Sequence, residues 1–473
     1  MYKLTPLVEG ELRDVLAKPD ALLLTLKTWP GPLNIVLPNQ VVKNYNNFKS
    51  LFNRLKISSD VYFAHKANQS TAIIRALAHT DCKIDVASES ELTHALAAGF
   101  CGARIEATGP KDSSFTRLLL LHGCLINVNS LAELTQLVRL KDTMCHHDKT
   151  PVMVRVDVSH NTATRDGKFG VTPPYIDEAL KLLTDEQAQI NFVGFSFHET
   201  STSVSDKQTA IETLMVLTDK ALDCGLTPTK VNIGGSMNHS HLASEEDYKS
   251  FITALKASQL DTQAPAITWN RHGLGYRTEN GTLKGGLQFS PFYQSVSALV
   301  ELENLLVSPI ADHGTLQTFL QDRLLTLVIE PGRALLDQAG LTIAKVTSHN
   351  QSAHGEQVLF LNINRSNLNA GELEFPSDPI VLSNTSHIHD DYVAGGDGVF
   401  LSGNLCLPHD FISRRKIFFP SPVQTGDYLV FVNTAGYFMD FNESQSIQHP
   451  LVRKIAMVTS QCVLDEDFNP ILC

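Results

Sequence analysis

The stretch DVYFAHKANQSTAIIRALAH, residues 60–79, contains the unit from which the fold is built. Residues 60–64 form a β-rich run, and the residues after it place Ile73, Ile74 and Leu77 at helical spacing. Repeats of a strand and a helix predict parallel strands joined by right-handed crossovers. The further strand-like runs are residues 83–86, 124–128, 152–158, 192–197 and 230–233, and each ends in polar or glycine-rich residues.

Two architectures accommodate such a repeat. A closed (β/α)8 TIM barrel takes about 250 residues, which suits residues 41–330. An open doubly wound sheet is the alternative, and the spacing of the repeats does not decide between them. Within this part of the chain, we expect residues 261–325 to form an irregular insert rich in Gly and His.

The pattern changes in residues 331–473, where strands are separated by turns and helical windows are few. This change predicts a second, β-rich barrel or sandwich domain, as expected for a chain of 473 residues. We expect residues 1–40 to pack with that domain, with a strand at residues 22–26. The predicted strands of the second domain are residues 342–346, 358–363, 427–432 and 454–459.

Composition narrows the functional class. The formal net charge is −12, and the sequence has no basic stripe of the kind that binds nucleic acid. The first residues lack the apolar run of a signal peptide, and no apolar stretch is long enough to span a bilayer. The eight cysteines are scattered without a C-x-x-C pair, which is typical of free thiols in a reducing compartment. We therefore expect a cytoplasmic protein without a nucleic-acid or membrane partner.

Eight short motifs then occur in a fixed order. Together they resemble the fold-type III enzymes that use pyridoxal 5′-phosphate (PLP), specifically the ornithine and diaminopimelate decarboxylase group. A single motif of this length would be weak support, but eight in order are not explained by chance. The motifs are FAHKAN (63–68), DVASESEL (85–92), VRVDV (154–158), FSFHETS (195–201), NIGGS (232–236), IEPGR (329–333), GNLCLPHD (403–410) and TAGYFMDFN (434–442).

The resemblance implies an alanine racemase-like TIM barrel with a C-terminal β domain, and PLP as the cofactor. PLP needs a lysine amine to hold it as an imine, and Lys66 lies after the first strand. It also needs an anion beside the pyridine nitrogen, because the protonated ring is the electron sink. The resemblance assigns that position to Glu330.

The phosphate of PLP requires backbone N–H groups and a cation. Gly234 and Gly235 would supply a close backbone approach, and His198 would stack on the ring. Taken alone, such a histidine or glycine pair is more often structural; the order of the motifs favours the functional interpretation. The cofactor-binding residues implied by the resemblance are Lys66, Asp85, Arg155, His198, Ser201, Gly234, Gly235, Glu330, Gly332, Arg333 and Tyr437.

Cys406 bears on the choice between decarboxylase and racemase. It lies where decarboxylases of this group carry the cysteine that protonates Cα after carbon dioxide leaves, and racemases resemble one another in placing an arginine at the position of Glu330. Decarboxylation is therefore favoured, with a PLP-dependent racemase or epimerase as the alternative. A non-catalytic decarboxylase-like regulator is the other rival. The resemblance also implies a homodimer, in which Cys406 and Asp410 reach a second subunit.

The chain departs from the group in ways that concern the substrate. Leu407 stands where the ornithine and diaminopimelate enzymes have an acidic residue that grips the distal end of the substrate. We therefore expect an amino acid or derivative other than simple ornithine or lysine, with Leu407 and Asp410 as substrate residues. Leu407 resembles carboxynorspermidine and some siderophore-pathway decarboxylases, whose substrates are larger. Thr200 and Ser236 replace glycines, and neither change removes an essential group.

Overall fold

Eight parallel strands close into a barrel, which excludes the open sheet. The computed structural model describes residues 2–159, 167–200, 203–371, 374–384, 392–393, 398–459 and 461–471. Strand β1 (Leu33–Val36) lies outside the barrel. The barrel strands are β2 (Ser59–Ala64), β3 (Lys83–Val86), β4 (Ile105–Ala107), β5 (Leu125–Val128), β6 (Thr150–Arg155), β7 (Ile190–Ser196), β8 (Lys230–Asn232) and β11 (Thr326–Ile329). Closure is achieved by β11, which pairs with both β8 and β2.

The helices begin where the polar residues after the strands predict. The side chains of Ser70, Ser88, Asp112 and Ser130 each accept a backbone N–H three residues later, which caps four helices of the barrel. Among the described residues, no helix combines the length and the apolar character needed to cross a membrane. The helices are α1 (Gly10–Leu16), α2 (Pro19–Thr28), α3 (Pro38–Arg54), α4 (Thr71–Ala78), α5 (Glu89–Ala97), α6 (Ser113–His122), α7 (Leu131–Met144), α8 (Ile176–Asp185), α9 (Val204–Asp223), α10 (Glu245–Leu260), α11 (Ala298–Val307) and α12 (Leu316–Asp322).

The barrel interior is layered. One layer is apolar and is formed by Tyr62, Leu125, Met153, Val193 and Val328. Side chains alternate along a strand, so residues two positions further on face the same interior. Three of these five positions are polar: Asn127 lies two residues after Leu125, Arg155 after Met153, and Glu330 after Val328. The carboxyl ends of the strands therefore hold the polar groups of the barrel, above an apolar plug.

The second domain is built on a mixed sheet. Its strands are β12 (Gly340–Gln351), β13 (Gln357–Leu361), β14 (Ile380–Leu382), β16 (Val399–Ser402), β17 (Phe411–Ile417), β19 (Tyr428–Val432), β20 (Arg453–Val458) and β21 (Gln461–Leu464), and β15 (Tyr392–Val393) pairs with β18 (Val423–Gln424). The strand order is β17-β16-β13-β12-β1-β20-β21, with β19 pairing β12 and β14. The four strands predicted for this part of the chain are confirmed as β12, β13, β19 and β20.

Two local predictions were wrong. Residues 22–26 lie in helix α2, not in a strand, because Leu22 and Leu26 are four residues apart and bury one helical face. The N-terminal strand is β1, which is antiparallel to β12 and parallel to β20. Residues 261–325 are not wholly irregular: they contain helices α11 and α12 and the hairpin β9–β10 (Tyr276–Glu279 and Thr282–Gly285).

Candidate active site

Lys66 lies at the carboxyl end of β2, in a single 3-10 turn formed by His65–Ala67. It lines a cavity of about 320 Å³, together with His198, Glu330, Arg333 and Tyr437. Burial acts to lower the pKa of the Lys66 amine, but Asp85, Tyr437 and Glu330 more than offset this effect, and the pKa lies above its ordinary value. The lysine therefore faces a cavity in which nearby acidic groups favour the protonated form of its amine.

Two buried carboxyl groups accompany Lys66. Asp85, at β3, accepts a hydrogen bond of 2.7 Å from the Thr108 hydroxyl. Glu330, just after β11, accepts one of 2.7 Å from Nδ2 of Asn232. Burial raises the pKa of both groups, to about 7 for Glu330, and Asp85 contributes to the shift of Glu330. A cation placed beside Glu330 would favour its ionised form.

The raised pKa of Glu330 predicts a pH-dependent stability of the cofactor-free protein. The folded state binds this proton more tightly than the unfolded state, so the free energy of unfolding falls as pH rises from about 4.5 to about 7. Glu330→Gln removes this loss, and the variant should gain stability over wild type, on the order of 3 kcal/mol by pH 8. Urea unfolding at pH 5, 6, 7 and 8 measures the difference.

Glu246→Gln, on the exposed surface of α10, is the matched control and should follow the wild-type curve. Buried groups that do not interact with Glu330 are common to both proteins, so they cancel when E330Q is compared with wild type. A stability difference that stays constant from pH 5 to pH 8 would contradict the assignment to Glu330.

His198 and the glycine turn lie next to Glu330. The imidazole Nδ1 is 3.9 Å from Oε2 of Glu330, and Nε2 is 3.2 Å from the Ser236 hydroxyl. Burial, followed by the charges of Lys66 and Arg155, lowers the pKa of His198 to about 3, so the ring is neutral. Gly235 is required by sterics, since a Cβ there would lie 2.4 Å from the carbonyl oxygen of Glu330. Gly234 has φ +69°, which disfavours other residues.

Arg333 and Tyr437 border the same cavity. The Arg333 guanidinium lies 5.3 Å from the Tyr437 ring centroid, and its Nη1 donates to the Ser290 hydroxyl at 2.9 Å. The backbone N–H of Tyr437 donates to the carbonyl of Ala67, the residue after Lys66, at 2.8 Å. A Cβ on Gly332 would lie 2.8 Å from the Tyr437 hydroxyl, so this close approach also requires glycine. Two donors that are distant in the chain are thus held beside Lys66.

Arg155 and Ser201 complete the account of the predicted set. Arg155 lies at the end of β6, and its guanidinium carbon is 4.8 Å from the centroid of the Phe169 ring. Its charge interacts with the carboxyl groups of Glu330 and Asp85. Ser201 lies outside the described residues. The structure therefore gathers the described members of the predicted cofactor-binding set around one end of the barrel.

Cys406 does not line this cavity within one chain. It lies in an exposed turn, next to Leu407, which is 40% exposed. Asp410 is buried, and its two oxygens accept backbone N–H groups of Arg365 and Leu405 at 2.9 and 2.8 Å. This arrangement favours a role for Asp410 in holding the turn over direct contact with a substrate.

The sequence analysis did not identify two groups of polar residues in this part of the barrel. His239 and His241 line the cavity with ring centroids 4.5 Å apart. Glu106, Asn127 and Asn232 are buried in the barrel interior beneath Glu330. A signal was present for Glu106 and Asn127, since each is the polar residue of an otherwise apolar strand, but not for Asn232, whose strand also contains Lys230. The histidines follow the glycine turn without any strand pattern and had no such signal.

Comparisons with known proteins bear on the identity of this site. Residues 38–269 match the family model described as pyridoxal-dependent decarboxylase, pyridoxal binding domain. An uncharacterised protein of Sinorhizobium fredii is 29% identical over 464 residues, which cover 97% of this chain and 94% of that protein. Diaminopimelate decarboxylase of Pseudomonas aeruginosa is 25% identical over 308 residues, 62% of this chain and 59% of that enzyme.

Solved structures show the same fold. Diaminopimelate decarboxylase of Methanocaldococcus jannaschii, in complex with L-lysine, superposes with a TM-score of 0.68 at 18% identity, covering 95% of this chain and 94% of that chain. Arginine decarboxylase of Paramecium bursaria Chlorella virus superposes with a TM-score of 0.65 at 18% identity, covering 93% of this chain and 100% of that chain.

The residues around the cavity fit the cofactor of this family, PLP. The cavity offers a lysine amine, a buried carboxyl group, and a cation with hydroxyl donors. At Gly235 and Gly332 the backbone approaches Glu330 and Tyr437 so closely that a Cβ would collide with them. The sequence motifs, the closed barrel and the comparisons agree in identifying residues 38–269 as the pyridoxal binding domain of the fold-type III PLP-dependent decarboxylase family.

Proposed function

We propose that the protein catalyses the PLP-dependent decarboxylation of an amino acid or amino-acid derivative other than simple ornithine or lysine. One observation carries the proposal: the Lys66 amine and the Glu330 carboxyl group line one cavity, within a family of decarboxylases. A carboxylate at position 330, in place of an arginine, suits a protonated pyridine ring. When bound, PLP supplies an electron sink for the bond that breaks at Cα.

The chain's own residues would divide the work of binding the cofactor. Lys66 would bond to its aldehyde carbon, and Glu330 would accept a hydrogen bond from its ring nitrogen. The turn formed by Gly234 and Gly235 would bring the backbone close to the phosphate. The neutral ring of His198 would pack on the cofactor face. Asp85 and Arg155 would balance the charge around Lys66, and Arg333, Tyr437 and Ser201 would add donors to the phosphate.

We assign the transfer of a proton to Cα to the thiol of Cys406. The thiol would act in the active site of a second subunit, because Cys406 lies in an exposed turn and does not line the Lys66 cavity of its own chain. The proposed active form is a homodimer with two shared sites, in which the buried carboxylate of Asp410 holds the turn that presents Cys406.

The substrate proposal rests on the charge of the cavity. Among the described residues that line it, Glu330 alone has a carboxyl group, and the proposal reserves that group for the cofactor. Leu407 offers no acceptor for a distal ammonium group. His241 is buried and His239 is half-buried, and burial lowers the pKa of both, so they would present neutral imidazoles. A substrate whose distal part bears a carboxylate or amide suits this lining better than a diamine side chain.

We expect mass spectrometry to detect a decarboxylated product when PLP-loaded protein is incubated in deuterated water with a panel of amino acids. The panel holds L- and D-amino acids, ornithine, lysine, and carboxyalkylated or citryl-linked diamino acids. A derivative with a distal carboxylate or amide should exceed lysine in kcat/KM by at least about tenfold. The product should have lost carbon dioxide and gained one deuterium at Cα.

Two results would overturn parts of the proposal. Deuterium exchange at Cα without loss of carbon dioxide would establish the racemase alternative. Preference for ornithine or lysine over every acid-bearing derivative would refute the substrate class while leaving decarboxylation intact. Protein reduced with borohydride before the assay is the control and should release no carbon dioxide.

A further inference from the structure

Glu106 is a buried carboxyl group in the barrel interior. It occupies the middle of β4 and is 0% exposed. Its Oε1 accepts a hydrogen bond of 2.8 Å from Nδ2 of Asn127 and one of 3.3 Å from Nδ2 of Asn232. The Asn127 amide is itself oriented, because its oxygen accepts the Ser196 hydroxyl at 2.9 Å. Glu106 thus receives two donors whose positions are set by neighbouring strands.

The amide of Asn232 joins Glu106 to the cofactor-facing groups. Its Nδ2 donates to Oε1 of Glu330 at 2.7 Å as well as to Glu106. Its oxygen accepts the backbone N–H of Gly234 at 2.9 Å. An amide has two N–H hydrogens and one carbonyl oxygen, so these contacts use its full donor capacity. Loss of the acceptor at position 106 would leave one buried N–H of Asn232 without a partner.

The orientation of the Asn232 amide matters for both ends of the proposed cofactor site. If the amide turned over, its oxygen would face the Glu330 carboxyl group, and its NH2 group would face the N–H of Gly234. Both contacts would then be repulsive. Glu106 penalises this turn, because its Oε1, which also accepts the N–H of Asn127, would then face the amide oxygen. One buried residue therefore secures a bond at Glu330 and a bond at Gly234.

We propose that Glu106 is a positioning residue, which acts through Asn232 to orient Glu330 and the Gly234 turn for the cofactor. The inference rests on the proposed function and adds to it a residue that does not line the cavity. Asp85 and Glu330 are the acidic groups near Glu106, and Lys111, Lys230 and Tyr62 are the other titratable ones. Burial and then the charge of Glu330 raise the pKa of Glu106 well above its ordinary value.

Comparison of Glu106→Gln with Glu106→Leu tests the proposal. Glutamine keeps the size of the side chain and a carbonyl oxygen for both donors, whereas leucine keeps the approximate size but no acceptor. Each apo-protein is titrated with PLP, and the pH dependence of the visible absorption of the bound cofactor is recorded. We expect E106L to weaken PLP binding by about tenfold or more, since a buried donor is left unpaired, and to move the pH midpoint. E106Q should stay within about threefold of wild type.

Two outcomes would overturn the proposal: folded E106L that binds PLP with wild-type affinity and pH midpoint, or E106Q that is as impaired as E106L. Circular dichroism reports folding. If E106L does not fold, the double variant E106L/N127L is used instead. It replaces an acceptor and one of its donors together, which destabilises the fold less than removing the acceptor alone. The double variant should show the same cofactor defect, and wild-type binding by it would refute the role of Glu106.

This test separates the inference from the proposed function. A wild-type protein that binds PLP but decarboxylates no amino acid in the panel would refute the proposed function. The response of PLP binding to E106L would still decide the role of Glu106, because neither the affinity nor the absorption measurement needs turnover.

Discussion

Lys66→Ala should abolish the covalent attachment of PLP and reduce decarboxylation by at least about 10³-fold. Lys66 is the sole lysine among the described residues that line the cavity, so no second amine is at hand to replace it. The loss has two causes. The cofactor would no longer be held by a covalent bond, and the amine that regains the cofactor after each turnover would be missing.

Borohydride reduction followed by peptide mass spectrometry measures this effect. Wild-type protein should yield a stable adduct on the peptide that contains Lys66, and K66A should yield none. Lys141→Met is a matched control, because Lys141 is a buried lysine that donates to Thr150 at the other end of β6, away from the cavity. It should keep the adduct. A covalent lysine adduct that persists in K66A would contradict the assignment.

Cys406→Ala should leave PLP bound and slow decarboxylation by about 10² to 10⁴-fold, the usual contribution of a proton donor. Since Cys406 is exposed and lies outside the Lys66 cavity of its own chain, the variant should retain both the adduct and the fold. Without the thiol, the proton can be delivered to the cofactor instead of Cα, so we expect part of the turnover to be diverted toward transamination. Product analysis by mass spectrometry measures the ratio of the two products.

Subunit mixing tests the shared site directly. Neither K66A nor C406A should be active alone, but in a mixed dimer one site keeps both groups. Random mixing of equal amounts should restore about a quarter of wild-type activity, since half of the dimers are mixed and each has one intact site. Cys224→Ala, an exposed cysteine on the barrel surface, is a suitable control for C406A. Failure of mixing to restore activity, with dimers confirmed by ultracentrifugation, would refute the composite site.

Local sequence was sufficient to find most groups at the mouth of the barrel. Lys66, Asp85, Arg155, His198 and Glu330 each lie at the end of a strand or just after it. The carboxyl ends of parallel strands meet on one face, so a chain that alternates strands and helices must bring such residues together. The sequence motifs could therefore be assigned to the mouth of the barrel without knowledge of the register between its strands.

Residues whose role depends on contacts across the barrel could not be found in this way. Glu106 and Asn232 come from opposite parts of the barrel, and their contact depends on how the strands are staggered. The hydrophobic pattern of a short strand does not contain that stagger. The prediction of a strand at residues 22–26 was wrong for a related reason. Five residues rich in apolar side chains suit either a strand or the buried face of a helix. Packing against the sheet of the second domain selected the helix.

The amino-acid sequence alone therefore specified the strand–helix repeat, the lysine and the order of the motifs, because these depend on residues that are near one another in the chain. Closure of the sheet, the exclusion of Cys406 from its own cavity and the bridge from Glu106 to Glu330 depended on tertiary structure. The pairing of Leu327 with Ser59 closes the barrel, and the Asn232 amide joins β4 to β11. Such contacts join segments that are distant in the chain, and their geometry exists only once the barrel has closed.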